Sequence, residues 1–372
     1  MKSLPEHAQR ILIVRLSALG DVVHVLPLLD VLRRARPEAH IGWLVEEKAA
    51  SLLEGHPQLD RVWVAPRQEL QRLWGEGRYA AASRRLLAAV RELRAARYDL
   101  TLDVQCNLRS AAWAFASGAR RRIGFAPPYT KEKAHWLTTD RVQAPVGGQL
   151  KALRNLELLA ALGIAADQPR AVLSIPDAAR REAASLRSRL GSQPVVALHP
   201  GVSGFGDFKR WPAARFAALA RRLRERCSAR SLVTWGPGER TLADSVVADS
   251  DGAAVLAPAT GSLLELGACY QACDALVAGD TGPLHLAAAL GVPVVGLYGS
   301  KDPAIYGPWN GRTGQPAAVV WKRVHCSPCR LRRCDDIICM PAIQVDDVLD
   351  QLRGLLAVRP QSTGDDLTAR AV

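Results

Sequence analysis

Short apolar runs alternate with stretches of helical periodicity along most of this chain, and they do so in two series separated by one polar segment. Runs of four or five aliphatic residues without polar alternation suit parallel strands buried on both faces, and parallel strands need a crossover helix between them. The pattern therefore predicts an α/β chain built from two doubly wound sheets. In the first series the expected strands are residues 11–14, 41–45, 61–64 and 100–104, with helices at about 22–34, 79–96 and 150–162. In the second they are 195–198, 231–235, 254–256, 275–278 and 294–297, with a helix beginning at Trp211-Pro212 and others at 283–290 and about 345–356. The polar stretch 165–176 is the expected linker. It divides the chain into an N-terminal domain, 1–165, and a C-terminal domain, 166–358, and leaves a tail, 359–372, with the composition of a disordered segment.

A length of 372 residues suits two domains of ordinary size, and two domains imply a cleft. No tract approaches the roughly 18 apolar residues of a membrane span, and the apolar run near the N-terminus is too short for a signal peptide. A soluble, cytoplasmic protein is the expectation. The formal net charge of +13 comes mainly from arginine. It fits nucleic acid, an anionic membrane face or a phosphorylated small substrate, and equally the solvated helix faces of a protein from a GC-rich genome. Charge does not choose among these, so the loops must.

The block Ile13-Val14-Arg15-Leu16-Ser17-Ala18-Leu19-Gly20-Asp21-Val22-Val23-His24 leaves the first strand at its carboxyl end, where open α/β sheets bind ligands. Gly20 permits a tight turn. Asp21 falls at a helix N-terminus, whose free N–H groups favour the ionised form; such a carboxylate either caps the helix or accepts a proton in catalysis. His24 lies one turn on, and Pro27 removes a helical hydrogen bond, so the helix should kink or restart there.

Asp280-Thr281-Gly282-Pro283-Leu284-His285 follows a strand of the second series in the same way. A capping Asp or Thr, a Gly without a side chain and a Pro in the first turn leave several N–H groups aimed at one spot. That suits a phosphate or diphosphate, with His285 as a further donor, although an ordinary helix cap has the same residues. Two more loops fall on this edge: 199–212, with Ser203 and the mobile cation Lys209, and Gly236-Pro237-Gly238-Glu239. Together they would hold a nucleoside diphosphate, with Glu239 on ribose or base. Neither a Gly-x-Gly-x-x-Gly fingerprint nor a Walker lysine loop occurs, which weakens dehydrogenase and kinase readings.

With those blocks in this order the chain resembles the bacterial ADP-heptose:lipopolysaccharide heptosyltransferases, glycosyltransferase family 9. The likeness rests on residues 13–24, His199-Pro200-Gly201, Lys209-Arg210-Trp211-Pro212, Trp235 to Glu239, and 279–299. It implies a GT-B fold, two Rossmann-like domains facing across a cleft, the first binding acceptor and the second the nucleotide sugar, with the last helix (about 345–357) packing back on the first domain. Carried over, Asp21 resembles the general base and Ser17 part of the sugar pocket. Lys209 resembles the lysine on the donor phosphates, Glu239 the acid near the nucleoside, and Asp280, Thr281, Gly282 and His285 the diphosphate and heptose site; Ser203 falls on the donor side. The implied reaction is inverting transfer of a heptose from ADP-heptose to the lipopolysaccharide inner core, a Kdo-lipid A or heptosyl-Kdo acceptor, without a metal or other cofactor. The implied partners are ADP-heptose and an anionic lipid A-core acceptor, not nucleic acid, for a monomer that can touch the cytoplasmic face of the inner membrane. Gln105, Arg109, Arg120 and Lys131 are the first-domain candidates for holding that acceptor.

Cys326, Cys329, Cys334 and Cys339 give a C-x2-C-x4-C-x4-C spacing beside His325. Zinc, an iron–sulfur cluster, a redox-sensitive loop and plain structural thiols are all compatible with it, and the reaction itself is expected to need no metal. Two rival functions stand beside the transferase: a nucleotide-sugar 2-epimerase of the same fold, which needs no acceptor pocket, and a basic nucleic-acid-binding protein with a cysteine zinc site. The transferase reading makes a spatial demand. The Asp21 loop and the Asp280 pocket must confront each other across a gap about one sugar wide.

Overall fold

In the computed structural model, which describes residues 9–160, 162–202, 206–329, 331 and 333–357, the chain forms two six-stranded sheets, each flanked by helices. Ser203 and the tail 359–372 lie outside the described residues.

The first half runs β1 (Arg10–Val14), α1 (Leu19–Val23), α2 (Leu26–Ala35), β2 (His40–Glu46), α3 (Glu47–Ala50), β3 (Arg61–Ala65), α4 (Arg67–Gly75), α5 (Tyr79–Ala95), β4 (Leu100–Asp103), α6 (Leu108–Ala116), β5 (Arg121–Phe125), β6 (Asp140–Val142) and α7 (Lys151–Ala160). The second runs α8 (Asp177–Leu190), β7 (Val195–His199), α9 (Ala213–Cys227), β8 (Arg230–Val233), α10 (Arg240–Ala248), β9 (Ala254–Leu256), α11 (Leu263–Gln271), β10 (Ala275–Gly279), α12 (Gly282–Ala289), β11 (Val294–Tyr298), α13 (Pro303–Tyr306), β12 (Ala318–Trp321), α14 (Cys339–Ala342) and α15 (Val345–Ala357).

All neighbouring strands pair in parallel, in the orders β3-β2-β1-β4-β5-β6 and β12-β11-β10-β7-β8-β9. Each half thus places its first strand beside its fourth, the doubly wound order. Chain direction across the sheet reverses between β1 and β4, and again between β7 and β10. Helices leave to opposite faces there, and the crevice at the carboxyl ends is where such sheets bind ligands. The central strands are as apolar as this demands: Ile11 to Val14, Val195 to Leu198 and Ala275 to Ala278 are fully buried.

Three strands were not expected from the sequence. Strand β5 begins with Arg121-Arg122, and its partner β6 is three residues with Asp140 and Arg141, so neither has an apolar run. Their polarity is spent on pairing: Arg121 meets Asp140 at 3.2 Å, and Arg122 donates to Leu137 O and Ala119 O, each at 2.8 Å. The strand Ala318–Trp321 closes the far edge of the second sheet.

The helix expected at 22–34 restarts around Pro27, as the missing N–H there predicts. The first turn, α1, stops at His24, and the chain restarts at Leu26 with Pro27 in the first turn of α2, where its missing N–H costs nothing. One correction concerns the last helix. Its buried residues Val348, Leu349 and Leu352 join Phe216, Leu219 and Leu223 of α9 in the core of the second half. Its apolar stripe is used up there, and it packs on α9 and the second sheet instead of returning to the first half.

The halves meet at a seam beside the two switch points, and Leu150 and Ala152 also pack with Trp309. Helix α1 packs on α12, and Leu264, Ala268, Leu286 and Ala289 share a continuous core with Val22, Val25 and Leu26. No helix among the described residues is long and apolar enough to cross a membrane.

Candidate active site

At the first switch point, β1 ends at Val14, and Arg15 to Ser17 carry the chain over the sheet edge into α1, where Asp21 lies in the first turn. Asp21 makes no cap. Its Oδ2 meets the Arg15 guanidinium, and its Oδ1 accepts from the Lys151 ammonium at the start of α7. Arg15 is buried and its Nη1 also donates to Val104 O at 3.3 Å. Burial would raise the Asp21 pKa, but the two cations overcome it and hold the carboxyl well below the usual range. Lys151 is pushed in the opposite direction, down to about 8, by burial and by Arg15 acting against the attraction of Asp21.

Asp103, at the end of β4, braces this loop from the other side of the switch point. It accepts from Gln105 N (3.1 Å), Cys106 N (2.9 Å) and Ser110 Oγ (3.0 Å), yet complete burial wins and raises its pKa to about 6. Gln105 in turn accepts from Leu16 N at 2.9 Å and Ser17 N at 3.4 Å. The loop that carries Asp21 is therefore tied to β4 by a short chain of hydrogen bonds.

At the second switch point β10 ends at Gly279, and Asp280 stands between Lys209 Nζ at 2.5 Å and His285 Nε2 at 3.4 Å. Burial again opposes ionisation, but His285 and Lys209 lower the Asp280 pKa to about 2. Thr281 occupies the N-cap of α12 without capping it; its hydroxyl is buried and has no partner among the described residues. The leading N–H groups of this helix therefore lack a side-chain acceptor, which leaves them for an anion. Lys301, on the loop after β11, adds positive charge, its own pKa lowered by burial and by Lys209. Glu239, at the start of α10, accepts from Gly236 N at 2.8 Å and lies against Gly201; burial raises its pKa.

These two clusters are one place. The rings of His24 and His285 meet edge to face, 4.4 Å between centroids, so Asp21 and Asp280 stand on either side of a histidine pair. His24 is held neutral, its pKa pushed far down by burial and by His285. Contact between α1 and α12 is close enough that a Cβ on Gly20 would come within 2.7 Å of His285 Cδ2, and one on Gly282 within 2.5 Å of Leu19 Cδ2. At this seam the halves touch, so the space between the two loops lies beside the histidine pair rather than through it.

Among the residues expected from sequence, Ser17, Asp21, Lys209, Glu239, Asp280, Thr281, Gly282 and His285 all lie on the carboxyl edges of the two sheets. The first-half candidates divide. Lys131 is exposed, its N–H bonds Cys106 O at 2.8 Å, and its charge is felt at Lys301 across the seam. Gln105 braces the loop, as described. Arg109 is paired with Glu46 Oε1 at 3.1 Å, and the other oxygen, Oε2, engages Arg67, also at 3.1 Å. Arg120 is misplaced by the sequence reading: it precedes β5, whose Arg121 is level with Leu100 at the start of β4, so it sits at the amino edge, away from Asp21. Arg15, Glu46, Lys151 and Lys301 went unnoticed. Arg15 lay inside a recognised block, and Lys301 two residues beyond another, but nothing local marks Glu46 or Lys151.

The cysteine spacing does not become a ligand set here. All eight cysteines are free thiols; Cys326 is exposed, Cys339 is buried, and Cys334 Sγ donates to Asp336 O at 3.1 Å. Among the described residues no group of three or more His, Cys, Asp or Glu is arranged to hold a metal ion.

Comparison with known proteins adds to this geometry. The sequence profile described as glycosyltransferase family 9 (heptosyltransferase) matches residues 86–336. Lipopolysaccharide heptosyltransferase 1 of Pseudomonas aeruginosa is 32% identical over 326 residues, covering 87% of each chain. Lipopolysaccharide heptosyltransferase 3 of Escherichia coli is 24% identical, covering 90% of this chain and 96% of the relative. Among solved structures, a family 9 glycosyltransferase from Veillonella parvula superposes with a TM-score of 0.76 at 22% identity, covering 96% of this chain and 99% of the other. The E. coli heptosyltransferase WaaC with ADP superposes with a TM-score of 0.72 at 23% identity, covering 93% and 99%. The fold they share with this chain is GT-B.

Proposed function

This chain belongs to glycosyltransferase family 9, and from that premise we propose that it transfers a heptose from ADP-heptose to an anionic, lipid A-linked inner-core acceptor, with inversion at the anomeric carbon. The observation that carries the proposal is the meeting of the Asp21 loop and the Asp280 pocket at a single seam, sealed by the His24–His285 contact. A base and a diphosphate cradle that close can serve the two ends of one displacement.

In this reading the ADP diphosphate lies on the leading N–H groups of α12, with Thr281 donating its free hydroxyl and Glu239 reaching the ribose or base. Lys209, paired with Asp280, turns to the phosphates. The acceptor enters beside Asp21, near Lys131. Its hydroxyl oxygen attacks the anomeric carbon as the bond to the diphosphate oxygen breaks. The hydroxyl proton passes to Asp21, and ADP departs with the bonding electron pair. Lys209 and the amide end of α12 stabilise the charge that develops on it, a task given in other transferases to a divalent metal. Arg15 and Lys151 make Asp21 a weak base, so proton transfer belongs late in the step, when the attacking oxygen has become acidic. Lys151 is the partner that can move away from Asp21, since Arg15 is buried and also bound to Val104 O.

An epimerase reading is not favoured: the named relatives are transferases, and the cationic groups on the first half have no task in epimerisation. The test is incubation of the purified protein with ADP-heptose and a panel of defined inner-core acceptors, read by mass spectrometry. Release of ADP together with an acceptor heavier by one heptose supports the proposal. Return of a nucleotide-linked epimer with no acceptor product would replace it.

A further inference from the structure

The crossover from β3 to β4 is a helical hairpin whose shape is not needed to connect them. Helix α4 starts beside the carboxyl ends of β2 and β3, where Arg67 pairs with Glu46 at 3.1 Å and Gln68 N donates to Glu47 Oε1 at 2.8 Å. Helix α5 returns alongside it, Arg85 Nε donating to Glu69 Oε2 at 2.8 Å. From that crossing α5 has about ten residues, roughly 15 Å, in which to descend to the amino edge where β4 begins. The part of the hairpin distal to the Glu69–Arg85 pair therefore stands beyond the carboxyl edge of the first sheet, on the side of Asp21.

The tip is bare. Residues 74–80 are all exposed, and a Cβ built on Gly75 or Gly77 meets nothing within 4 Å. It nevertheless carries Trp74 and Tyr79, 51% and 61% exposed, and the outer face of α5 adds Leu87 at 53%. Arg84, Arg91 and Arg94 share that face with Leu87 at helical spacing, and none forms an ion pair among the described residues. Between residues 67 and 97 the chain has eight arginines against three glutamates and no aspartate before Asp99. Trp and Tyr at a protruding tip, backed by an unpaired arginine stripe, match the amphipathic headgroup layer of an anionic bilayer.

We propose that the α4–α5 hairpin docks the first half onto an anionic phospholipid surface, Trp74 and Tyr79 entering the headgroup layer, so that the edge bearing Asp21 faces the membrane in which a lipid-linked acceptor is held. This rests on the reading of the acceptor as lipid-linked, but its primary test needs no turnover.

The full chain is sedimented with vesicles of phosphatidylglycerol and phosphatidylcholine, or of phosphatidylcholine alone, over a range of salt. Wild type should bind the anionic vesicles and lose that binding as salt rises. Trp74→Ser with Tyr79→Ser should weaken it by about tenfold or more, and so should Arg84→Glu with Arg91→Glu. Neither pair touches the site, so rates on a deacylated, water-soluble acceptor should stay at the wild-type level, while rates on vesicle-embedded acceptor fall with the binding. Absence of vesicle binding by wild type, binding unchanged in both double variants, or tight binding to an RNA oligonucleotide in place of vesicles would each overturn the docking proposal. Vesicle binding that behaves as predicted in a protein inactive on every heptose acceptor would leave the docking in place and remove the proposed function instead.

Discussion

Replacing Gly20 by alanine isolates the seam between the two loops. The backbone at Gly20 is not in the left-handed region, so alanine fits α1 itself and should favour the helical conformation by up to about 1 kcal/mol. Across the seam the added methyl would lie 2.7 Å from His285 Cδ2, 3.4 Å from Cγ and 3.6 Å from Nε2. Carbon atoms prefer about 3.5–4.0 Å, so α1 and α12 must part by roughly 1 Å. Overpacking of this kind costs about 1–3 kcal/mol, partly offset by the helical gain, and the net loss of stability should be on the order of 1 kcal/mol. A shift of about 1 Å between reacting groups can cost around 100-fold in rate. Steady-state transfer assays should therefore show kcat/KM reduced by about that factor, while denaturant titration shows a fold nearly as stable as wild type. Full activity in a Gly20→Ala protein with the fold intact would mean that the approach of α1 to α12 has no part in catalysis.

Lys151 predicts a pH signature. As pH rises through about 8 it loses its proton, and with it one of the two charges that weaken Asp21 as a base, so kcat should rise on the alkaline side with a midpoint near 8. The groups facing it are Asp21, Arg15, Arg154 and His24. Lys151→Arg should retain activity and move that limb upward; a limb unchanged in the arginine variant would exclude Lys151 as its source. Asp103 predicts a stability signature. Its folded pKa of about 6 lies above the ordinary 3.8, so the native state holds the extra proton between those values and stability falls as pH rises across them, by up to about 3 kcal/mol from this group. Denaturant titrations at several pH values between about 4 and 7 should show that decline in wild type and a flatter profile in Asp103→Asn; parallel profiles would contradict the burial argument.

The fold was legible because its central strands are unusually pure. Ile11 to Val14 and Ala275 to Ala278 are buried on both faces, so their sequence contains only what a core accepts. Edge strands carry no such constraint, and β5 and β6, with their Arg121–Asp140 pair, read as a basic surface cluster until the sheet is assembled. The candidate site was legible where a strand's end, a small-residue turn and a helix start follow one another in sequence, as at Gly20-Asp21 and Asp280-Thr281-Gly282. It was illegible where a side chain arrives from elsewhere. Lys151 reaches Asp21 over 130 positions, and Gln105, expected at the acceptor, spends its carbonyl oxygen on Leu16 and Ser17. Arg109 and Arg120 show the limit of counting charges: one is bound to Glu46, the other stands at the wrong end of its sheet. The last helix was placed wrongly for a related reason, since its stripe of Val348, Leu349 and Leu352 fits either half and only the core around Phe216 decides.

The most direct measurement compares Asp21→Asn with wild type in single-turnover transfer, alongside ADP binding by calorimetry. Asparagine keeps the shape at the mouth of α1 and removes the proposed proton acceptor. Transfer should fall by about 100-fold or more while ADP affinity stays close to wild type, because the proposed nucleotide site at Asp280 lies on the opposite side of the histidine pair. An Asp21→Asn protein that transfers heptose at the wild-type rate would contradict the account at its centre.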